Sequence, residues 1–182
     1  YMTTATAPLL PSIKARLRAS AEIKAQAANA CAEDIAAAVD LLVEAVKAGQ
    51  ALYICGNGGS AADAQHLAAE FIGSGLPAVA LTVNPSVLTS IATDVGDHAV
   101  FGAQLHALAF PGDVLVAITT SGKSVNVLKA IDEAVALGMR VIALTGRTGL
   151  ESCAPVLTVK VPSDNTQLIQ EAHLCIEHVL WE

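Results

Sequence analysis

At 182 residues the chain has the size of one domain, and 53% hydrophobic residues are ample for a large core. A net charge of −7 with no Lys/Arg cluster excludes a nucleic-acid-binding face, though not a site for a phosphorylated metabolite. No apolar run reaches the roughly 18 residues of a membrane-spanning helix, and no basic start leads into an apolar signal region.

Charged residues are only 15% and aromatics 3%, so the apolar content is mostly Ala, Val, Leu and Ile. Such a chain is expected to hide apolar surface in an oligomer, because bare monomers seldom expose large apolar patches. Cys31, Cys55, Cys153 and Cys175 form no CxxC pair and match no zinc-module spacing. They are expected to be reduced thiols of a cytoplasmic protein.

In chain order, residues 12–48 read as helix, with Pro11 able to start it and a break near Ala32–Asp34. From there Ile35, Val39, Leu42, Val43 and Val46 recur at helical spacing, and Gly49 ends the segment. Strands are predicted at 51–55, 78–83, 114–119, 140–145 and 156–161. Between them lie predicted helices at 60–72, 85–93, 98–108 and 124–137, with a weak one at 148–153. A last helix begins near Asn165 or Thr166 and runs to the end. Alternating strands and helices of this length predict a parallel sheet with helices on both faces. Residues 1–48 are expected to form a helical segment packed on a core domain of 49–182. Ligands of such sheets bind at the carboxyl ends of the strands, so the informative loops are 56–60 and 119–124.

The first of these loops opens the run Gly56-Asn57-Gly58-Gly59-Ser60, directly after the buried strand Ala51–Cys55. Glycines let the backbone approach a ligand, and the free N–H groups of the following helix point at it, with Ser60 adding a hydroxyl. His66 and Glu70 stand at i, i+4 on that helix and so share a face, which suits proton transfer or metal ligation. The second loop, Thr119-Thr120-Ser121-Gly122-Lys123-Ser124, brings several hydroxyls and N–H groups to a helix start, which suits a phosphate. Its Gly-Lys-Ser end is not a P-loop, because Ala117 stands where that motif needs glycine. In the last helix Glu171 and His178 share a face. Gln170 is turned about 80° from His178 and lies about 12 Å away along the axis. Taken singly, each of these residues also has an ordinary structural reading. His98 and His106 are read as surface or packing residues, and His173 is a further histidine of the last helix.

Together the motifs resemble the sugar isomerase (SIS) domain, and within it the bacterial phosphoheptose isomerases. The resemblance rests on GNGGSAADAQHLAAEF at 56–71, GLPAVALT at 75–82, VLTSIATD at 87–94, GDVLVAITTSGKS at 112–124, and IQEAH at 169–173 with His178. It implies an α/β three-layer sandwich built on a five-stranded parallel sheet. It implies isomerisation of sedoheptulose 7-phosphate to an aldoheptose 7-phosphate through an enediol. Asn57, Gly58 and Gly59 are then expected at the substrate and Ser60 near its phosphate. Thr119, Thr120, Ser121 and Ser124 form the phosphate cradle, and Thr93 and Asp94 line the sugar end. Glu70 and His178 are the implied acid–base pair. Zinc is implied on His66, Glu70, Gln170 and His178, a quartet that requires long side chains to lean together across the separation of Gln170 and His178. A homotetramer with sites at subunit interfaces is implied as well.

The chain departs from the family pattern at Thr93, Thr119 and Lys123, where the family usually has Asn, Ser and Asn. Lys123 places a cation beside the phosphate loop. The family also has a longer, Arg-containing segment between the equivalents of Phe71 and Gly75, so a loop is expected to be missing from this passage. Two other functions fit the same domain: a non-catalytic scaffold, and a sugar-phosphate-binding regulatory domain. Presence of His66, Glu70, Gln170 and His178 together favours the enzyme.

Overall fold

The computed structural model describes residues 9–152 and 154–182. Two helices come first, α1 (Leu9–Ala30) and α2 (Ala32–Lys47). There follow β1 (Leu52–Gly56), α3 (Gly59–Gly73), β2 (Ala78–Ala80), α4 (Pro85–Asp94), a 3-10 turn at Asp97–Ala99 and α5 (Gly102–Leu108). The remainder is β3 (Val114–Thr119), α6 (Val125–Ala136), β4 (Arg140–Thr145), β5 (Leu157–Lys160) and α7 (Thr166–Trp181). All strand pairs are parallel, in the order β2-β1-β3-β4-β5.

Period-two alternation sends each central strand's side chains to opposite layers. Leu52 and Ile54 of β1, with Val114, Val116 and Ile118 of β3, join a cluster with α1, α2, α3 and α7. Tyr53, Cys55, Leu115 and Ala117 point the other way, into a cluster with α5 and α6. Both faces are therefore covered, as a parallel sheet requires. A fully buried side chain such as Ile142 or Leu144 contributes about 1.5–3 kcal/mol by leaving water. Ala27, Cys31, Ala38, Leu42 and Ala45 carry α1 and α2 into the same cluster as the sheet.

Most boundaries match the sequence expectation to within a residue or two. The helix break falls at Cys31. The strand expected at 78–83 stops at Ala80, because Leu81 and Thr82 turn into α4, whose N-cap Asn84 accepts a bond from the Val87 N–H at 3.2 Å. The helix expected at 98–108 is split by a turn into the 3-10 segment and α5. Of the weak helix expected at 148–153, residues 148–152 form none, and Cys153 lies outside the described residues. The short passage after Phe71 closes as it stands. Gly75, at φ +78°, donates to Ile72 O, and Leu76 N–H reaches back to Phe71 O at 3.0 Å, which together satisfy the end of α3.

β1 and β3 are neighbours, yet the chain leaves β1 toward β2 on one side and β3 toward β4 on the other. The loops after these two strands diverge, and a crevice opens between them at the carboxyl end of the sheet.

Candidate functional site

Three helices begin around this crevice: α3 at Gly59, α6 at Val125 and α7 at Thr166. They surround a hollow of about 310 Å³. Its walls are Asn57, Gly58, Gly59 and Ser60 after β1, then Ile118, Thr119, Thr120 and Ser124 from β3 and its loop, with Thr166 and Gln170 from α7. Each helix N-terminus carries roughly half a positive charge and unpaired N–H groups. The hollow has no Lys or Arg in its walls, so an anion there meets dipoles and hydroxyls only. Ser60 and Thr119 are buried, and Thr119 Oγ1 lies 3.2 Å from Ser124 Oγ.

Close backbone approaches shape the cradle. A Cβ on Gly59 would meet the Gln170 side chain at 2.5–2.7 Å, so the glycine seats that amide against the start of α3. Gly122 has φ +69°, and a Cβ there would lie 1.7 Å from Gly149 O. The loop after β4 thus presses directly on the loop after β3.

α3 and α7 run side by side in the same direction. Gln170 touches Gly59 at one end, His66 meets His178 further on, and Trp181 Nε1 donates to Ser74 Oγ at 3.0 Å beyond that. His66 Nε2 stands 3.0 Å from His178 Nε2 and 3.7 Å from Glu70 Oε1. The rings meet edge to face with centroids 5.1 Å apart. One ligand atom from each of the three residues lies within 4.8 Å of the others. Two imidazoles and a carboxylate are the donor set of a catalytic zinc with a free fourth position. Ligand bonds of about 2.0–2.1 Å at tetrahedral angles put ligand atoms about 3.4 Å apart, between the two separations found here. The residues present therefore fit a zinc ion.

The buried carboxyl of Glu177 and the half-buried one of Asp63 stand behind this cluster. Burial pushes the Glu177 carboxyl up to about 8, and the Asp63 charge adds to the rise. Burial likewise raises Asp63 to about 6, against a lowering by His66. Both Glu177 oxygens and Asp63 Oδ2 lack a hydrogen-bond partner among the described residues. Buried His173 donates from Nε2 to Thr145 O at 3.1 Å, and burial holds its pKa down at about 4. It ties α7 to the end of β4.

The sequence-predicted residues divide into three groups. Asn57, Gly58, Gly59, Ser60, Thr119, Thr120, Ser124 and Gln170 share the hollow. His66, Glu70 and His178 form the second cluster. The others stand apart. Ser121 is exposed and accepts from its neighbour Lys123 N–H at 3.2 Å. Thr93 and Asp94 are the exposed last residues of α4, bonded within their own helix to Thr89 O and Ser90 Oγ. They lie one turn beyond Thr89, which lines an adjoining hollow of about 320 Å³. Lys123 does not line the cradle but pairs with Glu151 at 2.7 Å. Glu171 accepts from Arg16 of α1 at 3.1 Å. Two residues escaped the sequence reading. Thr166 lines the hollow as the first residue of α7. Asn126 bonds Asn57 from α6. Their only sequence signal was position, at or just after a helix start.

A profile of the SIS domain family matches residues 17–146. Over 179 residues the chain is 44% identical to the phosphoheptose isomerase of Geotalea daltonii, covering 94% of this chain and 93% of that one. It is 46% identical to the phosphoheptose isomerase of Thiobacillus denitrificans, with 95% and 93% covered. The solved phosphoheptose isomerase of Neisseria gonorrhoeae superposes with a TM-score of 0.92 at 41% identity, over 95% of this chain and 96% of that one.

Proposed function

The chain belongs to the phosphoheptose isomerases of the SIS domain family, and on that premise we propose that it converts sedoheptulose 7-phosphate to D-glycero-D-manno-heptose 7-phosphate. The observation that carries this reading is the layout of α3. A neutral anion cradle sits at its N-terminus, and the His66–Glu70–His178 cluster lies two to three turns on. From Gly59 to His66 the helix rises about 10 Å, the reach of an open-chain heptose phosphate held by its phosphate end.

In this reading the phosphate lies against the N–H groups of Gly58 and Gly59 and the hydroxyls of Ser60, Thr119, Thr120 and Ser124, the Ser60 N–H being spent on Asn57 O at 3.0 Å. Binding energy gathered there holds the distant carbons in place for reaction. The Glu70 carboxylate takes a proton from C1 of the ketose; the released electron pair forms the C1–C2 double bond as the C2=O π pair moves onto O2, which takes up a proton from His178 to give the enediol. The carbon proton then returns to C2, and His178 recovers the hydroxyl proton from O1, leaving an aldehyde at C1. Zinc would be held by His66, Glu70 and His178; Gln170, the fourth residue assigned to it, is seated against Gly59 about 12 Å along α7 from His178 and would have to swing toward the cluster. The charge of the ion supplies stabilisation of negative oxygen in the transition state. Thr93 and Asp94 are assigned to the sugar end, one turn beyond the adjoining hollow.

We assign a homotetramer with sites at subunit interfaces. Supporting it, Leu9, Leu10 and Leu17 of α1 and Val179 and Trp181 of α7 are exposed in the single chain. His66 and Glu70 are also only half-buried, leaving the cluster open to a neighbour. The cytoplasm, where phosphorylated sugars are made, is the proposed compartment. No helix of the described residues is long and apolar enough to cross a membrane.

The test is proton NMR of sedoheptulose 7-phosphate in D2O with the purified protein. The expected result is an aldoheptose phosphate carrying deuterium at C2, lost on chelation and restored by zinc. Absence of turnover by zinc-loaded protein overturns the reading.

A further inference from the structure

We infer that Asn126 is a positioning residue of the sugar-phosphate site, holding the side chain of Asn57 rigid at the boundary between two hollows; this rests on the isomerase reading above. Asn57 directly follows β1 and Asn126 is the second residue of α6, so the two stand on opposite sides of the crevice. Their amides are paired reciprocally. Asn57 Nδ2 donates to Asn126 Oδ1 at 2.8 Å, and Asn126 Nδ2 donates to Asn57 Oδ1 at 2.9 Å.

A reciprocal amide pair reads the same if both groups are turned over, so something else must choose the orientation. Val127 N–H does so, donating to Asn126 Oδ1 at 3.0 Å. The start of α6 therefore fixes Asn126, and Asn126 fixes Asn57. Asn57 is left with its carbonyl engaged and one N–H free. Asn57 lines both the phosphate hollow and the adjoining one walled by Thr82, Thr89 and Ala92. Asn126 lines neither, and faces an open recess with Asp97 and His98 instead. It touches no ligand in either hollow itself and acts there most directly through the amide of Asn57.

Freezing a donor before the ligand arrives removes an ordering cost from binding, worth about three- to tenfold in affinity for one side chain. The reciprocal pair also joins the loops after β1 and β3, the two that must keep their spacing around one phosphate.

The test is a double-mutant cycle on the full chain with sedoheptulose 7-phosphate, with zinc supplied. Asn126→Ala is expected to raise KM about three- to tenfold and to leave kcat within about twofold. Asn57→Ala is expected to cost more, and the double variant no more than Asn57→Ala alone. An unchanged KM in Asn126→Ala, or losses that add in full, overturns the inference. A residue that merely stabilised α6 gives additive losses. The pairing has a readout independent of activity. In a proton–nitrogen spectrum, the Asn57 side-chain amide, assigned by its disappearance in Asn57→Ala, is expected to shift in Asn126→Ala. An unmoved signal also overturns the inference. Lack of turnover by the unaltered protein instead removes the isomerase reading, while the spectrum still decides the pairing.

Discussion

Glu70 is the residue whose role the geometry makes most exposed to test. It sits one helical turn from His66, with Oε1 3.7 Å from Nε2, and is half-buried. A carboxylate that moves a proton to and from carbon contributes about 10²–10⁴ in rate. Glu70→Gln keeps the shape and removes the base, so turnover is expected to fall by that factor while the circular dichroism spectrum is unchanged. His173 is a residue of the opposite kind, fully buried and spent on structure. Its pKa is about 4 in the folded chain, against an ordinary 6.5. Between these values the unfolded chain binds the extra proton, so folding loses stability as pH falls. The contribution is fully present above about 6.5 and disappears as pH drops through 4, amounting to about 3 kcal/mol. Denaturant unfolding of the wild-type and His173→Gln proteins across pH 4–7.5 checks this. Wild-type stability is expected to decline more steeply, so that the gap between the two narrows on acidification.

At the scale of elements, the site is made by where helices start rather than by what they carry. α3, α6 and α7 all direct their N-termini at one hollow that has no cationic side chain. The loop after β3 keeps its shape because Gly122 accepts a left-handed conformation with Gly149 O where a side chain would stand. Gly122→Ala adds backbone strain of about 1–3 kcal/mol together with that overlap. It is expected to lower the melting temperature by about 2–12 °C and to raise KM. A melting temperature equal to wild type refutes the packing argument. The same loop explains the fate of Lys123. Its side chain turns outward to Glu151 at 2.7 Å, leaving the cradle neutral.

At the scale of the whole molecule, the described surface carries exposed apolar side chains that the proposed tetramer would cover. α1 presents Leu9, Leu10 and Leu17 at 62–71% exposure. Patches of this kind are normally covered by a partner. Native mass spectrometry is expected to give four times the 18.5 kDa of one chain. A monomer at micromolar concentration contradicts the tetramer. Assembly also bears on the site, because the His66–Glu70–His178 cluster is open to solvent in the single chain, and excluding water strengthens electrostatic interactions within it.

What the sequence determined by itself was local. Apolar strands alternating with helices specified a parallel sheet, and glycine- or hydroxyl-rich turns after β1 and β3 marked the ligand end. His66 and Glu70 shared a face because four residues nearly complete one helical turn. The tertiary structure alone decided which faces meet. His66 and His178 are 112 positions apart and come within 3.0 Å because α3 and α7 pack side by side in the same direction. Periodicity states which face of a helix is buried, never against which partner. For the same reason Gln170 could be placed two turns from His178 on one helix, but not against Gly59. Asn126 could not be linked to Asn57, and Thr93 and Asp94 could not be seen to end on the exposed tip of α4. Those relations exist only once the crossovers leave β1 and β3 in opposite directions, which a local reading of the residues does not contain.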